Sequence, residues 1–115
     1  MAIPYSVTTL TAWKDKAHVI TWASLANGES GQALEMTGAA DRSVQVTGTF
    51  GSGGNLRVQG SNDGVNWNTL TDPQGNDINI TVSKIEQIME ITRYIRPSVT
   101  AGSGVSLTAS ILVRR

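Results

Sequence analysis

The stretch GTFGSGGNLRVQGSNDGVNWNTL, Gly48 to Leu70, decides the fold class. It finishes one alternating run and contains a second. Val44, Val46, Gly48 and Phe50 face one way, with Ser43, Gln45, Thr47 and Thr49 facing the other. The glycine cluster Gly51-Ser52-Gly53-Gly54 breaks that run. Leu56, Val58 and Gly60 then alternate with Arg57 and Gln59. A period of two is the mark of a half-buried strand. Asn62-Asp63-Gly64 follows, then Val65 and Trp67, which are expected to share a face of the next short strand. Asp-Gly between alternating runs is a hairpin signal, because glycine accepts a positive φ without steric cost. A loop carrying amide and carboxylate oxygens beside a Trp can also hold a ligand. Asn62, Asp63, Gly64 and Trp67 are therefore a possible ligand loop, for a sugar or for calcium. Calcium needs about six to eight oxygens, and this loop offers few.

The same period recurs outward from this stretch. His18 to Ala23 reads as a strand with His18, Ile20 and Trp22 on one face. Ala33 to Met36 reads as a short one. Ile78, Ile80 and Val82 alternate after the turn Asp72-Pro73-Gln74-Gly75. In residues 84 to 92, Ile85, Ile88 and Met89 fit a helical spacing and the run fits a strand poorly, so one irregular turn leading into a strand is expected. Arg93 to Thr100 is extended, with Ile95, Pro97 and Val99 on one face; Pro97 donates no hydrogen bond, which predicts an edge or a bulge there. Val105, Leu107, Ala109, Ile111 and Val113 form the cleanest alternation in the chain. About eight short strands joined by Gly- and Asn-rich turns predict an all-β, single-domain β-sandwich or barrel, with a two-sheet jelly roll the first choice. Its expected core is Val44, Val46, Phe50, Leu56, Val58, Ile78, Ile80, Leu107, Ala109 and Ile111.

Residues 1–14 form an expected extended N-terminal arm, with room for one strand, and residues 15–115 the β-sandwich domain. Ile3, Pro4, Tyr5, Leu10 and Trp13 lie on the arm without a clear period. Apolar side chains on an extended segment suit strand addition or groove insertion on a partner. The alternative is that the arm is the first strand of the sandwich and buries Tyr5 and Trp13 in its own core.

Composition narrows the function classes. With 115 residues and no cysteine, the chain is long enough for a core and has no thiolate metal site or disulfide framework. Nine basic and nine acidic residues cancel and are scattered. That gives no electrostatic footprint for nucleic acid. No stretch approaches the roughly 20 apolar residues of a membrane span, and the first residues do not read as a secretory signal. His18, the single histidine, has no recognisable nucleophile partner, and no Gly-x-Ser-x-Gly elbow is present. Gly51–Gly54 lacks the Lys and helix of a phosphate loop. The acids are spread singly, without the facing pair of a glycosidase. Asn79-Ile80-Thr81 has the form of a glycosylation sequon, and without a signal it reads as chance on a strand. No enzyme activity, cofactor or metal is expected.

Three segments together resemble the small head-decoration (cement) proteins of tailed bacteriophages: His18–Met36, Ser43–Leu70 and YIRPSVTAGSGVSLTASILVRR, Tyr94–Arg115. The resemblance covers most of the chain and rests on strand and turn style rather than on a catalytic motif. It implies a jelly roll on the outer capsid surface of a virion, made in the bacterial host cytoplasm. It also implies a homo-oligomer, dimer or trimer, that binds the major capsid protein and stabilises contacts between its subunits. The motif SNDGVNW by itself also resembles the strand-turn-strand of discoidin-type carbohydrate-binding sandwiches. This chain is shorter than that family and lacks its cysteine pair. A carbohydrate-binding module of a phage tail or head is the alternative.

Overall fold

The computed structural model describes residues 2–14, 16–35 and 41–114. Met36, at the end of the expected strand Ala33–Met36, and the side chain of Trp13 lie outside the described residues. Among the described residues ten strands run β1 (Tyr5–Thr9), β2 (Ala17–Leu25), β3 (Leu34–Glu35), β4 (Asp41–Thr49), β5 (Ser52–Ser61), β6 (Asn68–Thr69), β7 (Asn79–Ile80), β8 (Lys84–Gln87), β9 (Tyr94–Ser103) and β10 (Ser106–Arg114). One antiparallel sheet has the order β1-β2-β10-β4-β8 and the other β3-β9-β5-β6, with β7 also on β5. The expected all-β sandwich is what forms. From β2 onward the chain steps between the sheets in the order of a jelly roll: β2, β4, β8 and β10 lie in one sheet, and β3, β5, β6 and β9 in the other.

The alternating residues fill the space between the sheets. Ile20, Trp22, Val44, Val46, Leu56, Val58, Ile78, Ile80, Leu107, Ala109 and Ile111 are fully buried. Phe50, expected among them, is only half-buried. It falls after the end of β4, where the chain turns from one sheet to the other, and packs against the margin of the core. At this corner Gly48 has φ +122°, and a Cβ there would stand 2.4 Å from the Ser106 carbonyl oxygen. The close approach of β4 to β10 therefore requires a glycine.

Several local expectations are corrected. β2 runs on to Leu25, because Ala23 and Ser24 together oppose Thr108. Ser24 takes φ 59° at this bulge, which returns Leu25 to the core out of step with the alternation. Residues 84–87 are a strand on β4 rather than a turn. An edge strand with one exposed margin need not keep a strict period, and Ile85 faces outward. Val82 lies beyond the two-residue β7 and is exposed. Pro97 is not on an edge, since β9 lies between β3 and β5. Its carbonyl accepts from Gly31 N at 2.8 Å. The proline nitrogen, on the same side of the strand, therefore faces the loop carrying Gly31, and no ladder bond to β5 is lost. Bulges are nevertheless present in this strand pair, where the β5–β9 register shifts near Asn55.

Candidate functional site

The loop after β5 is not a two-residue hairpin. It spans residues 62–67 and ends where β6 begins at Asn68. Val65 is 78% exposed, and neither it nor Trp67 lies in a strand. The loop is built on the Asp63 carboxylate. Asp63 Oδ1 accepts from Val65 N and Asn66 N, both at 2.8 Å, and from Ser61 Oγ at 2.9 Å. Asp63 Oδ2 accepts from Asn66 Nδ2 at 2.8 Å. Ser61 Oγ in turn accepts from Gly64 N at 2.8 Å. Asn62 Oδ1 ties the loop to the start of β9 by accepting from Arg93 N at 2.9 Å. These donors, the Asn66 backbone and side-chain groups foremost, hold the Asp63 carboxyl well below the usual carboxylate range. Both carboxylate oxygens are thus already engaged by donors. Among the described residues no group of His, Asp and Glu is placed to hold a metal ion.

Gly64 carries φ +77°, and a Cβ there would stand 3.3 Å from the Tyr94 ring. The loop therefore lies down on the outer face of the β3-β9-β5-β6 sheet, and it brings Trp67 over that face. The Arg96 guanidinium carbon sits 4.1 Å from the centre of the Trp67 ring. Arg96 Nε donates to Gln59 Oε1 at 2.9 Å, its direct cross-strand partner. Arg93 lies 4.9 Å over the Tyr94 ring and pairs with Glu35 at 2.6 Å. Arg57 has Asp77 at 3.9 Å. The outer face is thus an aromatic and guanidinium platform, with a shallow groove of about 380 Å³ beside it along Asn62, Asn66, Asn68 and Thr92. Of the four residues of the expected ligand loop, Asn62, Asp63 and Gly64 build the scaffold and Trp67 presents a surface. Arg96, Gln59 and Tyr94 were not singled out from sequence. No spacing in the sequence marks them, since only the β5–β9 register and the loop folded over it bring them together.

The N-terminal residues are placed as follows. Ile3 is half-buried and bonded to the segment between β2 and β3: its N–H donates to Ser30 O at 3.0 Å and its carbonyl accepts from Gln32 N at 2.7 Å. Tyr5 packs edge-to-face on Trp22, ring centres 5.6 Å apart. Pro4 is exposed and Leu10 half-buried. Residues 5–9 form the edge strand β1. Leu10 N donates to Ala17 O on the β2 side, whereas Ile3 bonds on the opposite side. By alternation, the N–H and C=O groups of Tyr5, Val7 and Thr9 point away from β2, along an exposed edge. That edge is five residues long and uncharged, while β8 carries Lys84 and Glu86, and β3, β6 and β7 have two residues each. His18, opposite Thr9, shares a hydrogen bond of 3.1 Å between its Nδ1 and Thr9 Oγ1.

The fold is similar to that in the crystal structure of SPBc2 prophage-derived protein YomS, with a TM-score of 0.64 at 10% sequence identity, over 86% of this chain and 95% of that one. At such identity the likeness shows the fold. No family model matches the sequence, and no curated protein matches it.

Proposed function

We propose that this chain is a structural virion protein, a decoration protein that binds the outer surface of a phage capsid and stabilises contacts between major capsid subunits as a homo-oligomer. The observation that carries the reading is the jelly roll shared along most of its length with a prophage-derived protein. The resemblance of His18–Met36, Ser43–Leu70 and Tyr94–Arg115 to cement proteins points the same way. The β1 edge supplies a contact mode. Its outward backbone groups at Tyr5, Val7 and Thr9 suit pairing with a strand of a neighbouring protomer or of the capsid, with Pro4 and Leu10 flanking. Natural edges of this length are commonly blocked by charge, proline or a bulge, and residues 5–9 have none of these. In this reading His18 performs no chemistry.

The test is to add the purified protein to capsids lacking it and count copies by cryo-electron microscopy. Stoichiometric occupancy of the head surface supports the reading. A few copies confined to the tail would favour the carbohydrate-binding module instead, and absence from the particle would remove both.

A further inference from the structure

The outer face of the β3-β9-β5-β6 sheet carries a half-buried cation that no carboxylate among the described residues neutralises. Arg57, Arg93, Arg114 and Lys84 each have a carboxylate within 4 Å: Asp77, Glu35, Asp41 and Glu86. Arg96 has none among the described residues. Its partners are the neutral Gln59 Oε1 and the Trp67 ring. Burial also pushes the Arg96 pKa down, as expected for a charge partly withdrawn from water without compensation.

The two partners fix the guanidinium in orientation. Gln59 accepts from Nε, and the Trp67 ring backs the guanidinium at 4.1 Å. The two terminal nitrogens make no protein hydrogen bond among the described residues, and they form the donor fork that matches a carboxylate in bidentate geometry. Part of the desolvation and ordering cost of an ion pair is therefore already met in the free protein. The surroundings are those of a protein contact rather than a polyanion track. Trp67 and Tyr94 are aromatic anchors, and Trp, Tyr and Arg are the residues in which interface energy concentrates. A polyanion would need several unpaired cations in a row. Here the neighbouring Arg57 and Arg93 already face Asp77 and Glu35.

We propose that Arg96, held between Gln59 and Trp67, is the anchor through which this sheet face receives an acidic side chain of a protein partner. This rests on the capsid-binding reading, in which the partner is the capsid surface. In this arrangement the SNDGVNW loop is the support that lays Trp67 against Arg96.

The experiment titrates wild type, Arg96→Gln, Arg96→Lys and, as a control on the other sheet, Arg114→Gln onto capsids lacking the protein, with melting temperatures measured in parallel. Arg96→Gln is expected to weaken binding at least about 10-fold with melting preserved, as for loss of an interface hot spot. Arg96→Lys should recover only part of the loss, since it keeps the charge but not the fork. Arg114→Gln should bind as wild type. If Arg96→Gln does not fold, the Lys variant decides: wild-type affinity in it overturns the proposal. Wild type binding while Arg96→Gln binds equally well also overturns this inference and leaves the capsid reading standing. Failure of wild type to bind removes the capsid reading and this inference together. Arg96-dependent retention on heparin, with unchanged capsid occupancy, would overturn the protein partner in favour of a polyanion.

Discussion

Ile111→Ala paired with Leu112→Ala tests the alternation on which the fold rests. The two residues are neighbours on β10, a strand flanked by β2 and β4. Ile111 is fully buried and pairs with Ile20 and Val44, themselves fully buried. Leu112 points to the outer face and is 38% exposed. Truncating Ile111 removes three carbons, each worth about 0.8 kcal/mol of transfer free energy, or ~2.4 kcal/mol. The flanking strands restrict collapse of the site. A residual cavity of about 75 Å³ at ~24 cal/mol per Å³ adds about 1.8 kcal/mol. The expected cost is thus about 4 kcal/mol, within the usual range of about 2–5. A domain of this kind has about 5–15 kcal/mol in total, so the variant should still fold. Urea unfolding should show a midpoint lowered by about 2 M or more at unchanged m, and melting should fall by about 4 °C per kcal/mol. Leu112→Ala should cost less than about 1 kcal/mol, as a side chain that keeps much of its solvent contact. Equal costs for the two variants, or a loss below about 1 kcal/mol at Ile111, would refute the assignment of inner and outer faces.

Gly64→Val should destabilise by about 1–3 kcal/mol, because a β-branched residue resists a positive φ and its Cβ presses on Tyr94; an unchanged melting temperature would contradict the loop geometry. Asp63→Ala should lower the melting temperature at neutral pH. Because the folded carboxyl titrates below its ordinary value, its contribution is present above the usual aspartate pKa and disappears as acid protonates it. The gap between wild type and Asp63→Ala should therefore narrow on strong acidification. Added calcium should leave wild-type melting unchanged, and a rise abolished by Asp63→Ala would revive the metal-site reading. Val7→Lys places a charge on the exposed β1 edge and should reduce capsid occupancy or self-association while preserving melting; full occupancy and an unchanged oligomeric state would argue against that edge as a contact.

The sequence by itself determined the fold class and the regularly alternating part of the core. Side chains of a strand alternate by stereochemistry, and a sandwich buries one face of each strand, so Val44, Val46, Leu56, Val58, Leu107, Ala109 and Ile111 were legible from their spacing. It also marked Asp63 and Gly64 as turn residues, since their roles depend on local backbone bonds and on φ. Tertiary structure decided what local pattern does not encode. The bulge at Ser24 put Leu25 inside, and pairing with β4 turned residues 84–87 into a strand. The loop's length and its descent onto Tyr94 took Trp67 out of a strand and onto Arg96, a residue 29 positions away. A cation and a ring so far apart in sequence carry no mutual signal in spacing. Only the cross-strand register that sets Gln59 opposite Arg96, and the loop that folds over both, brings them together.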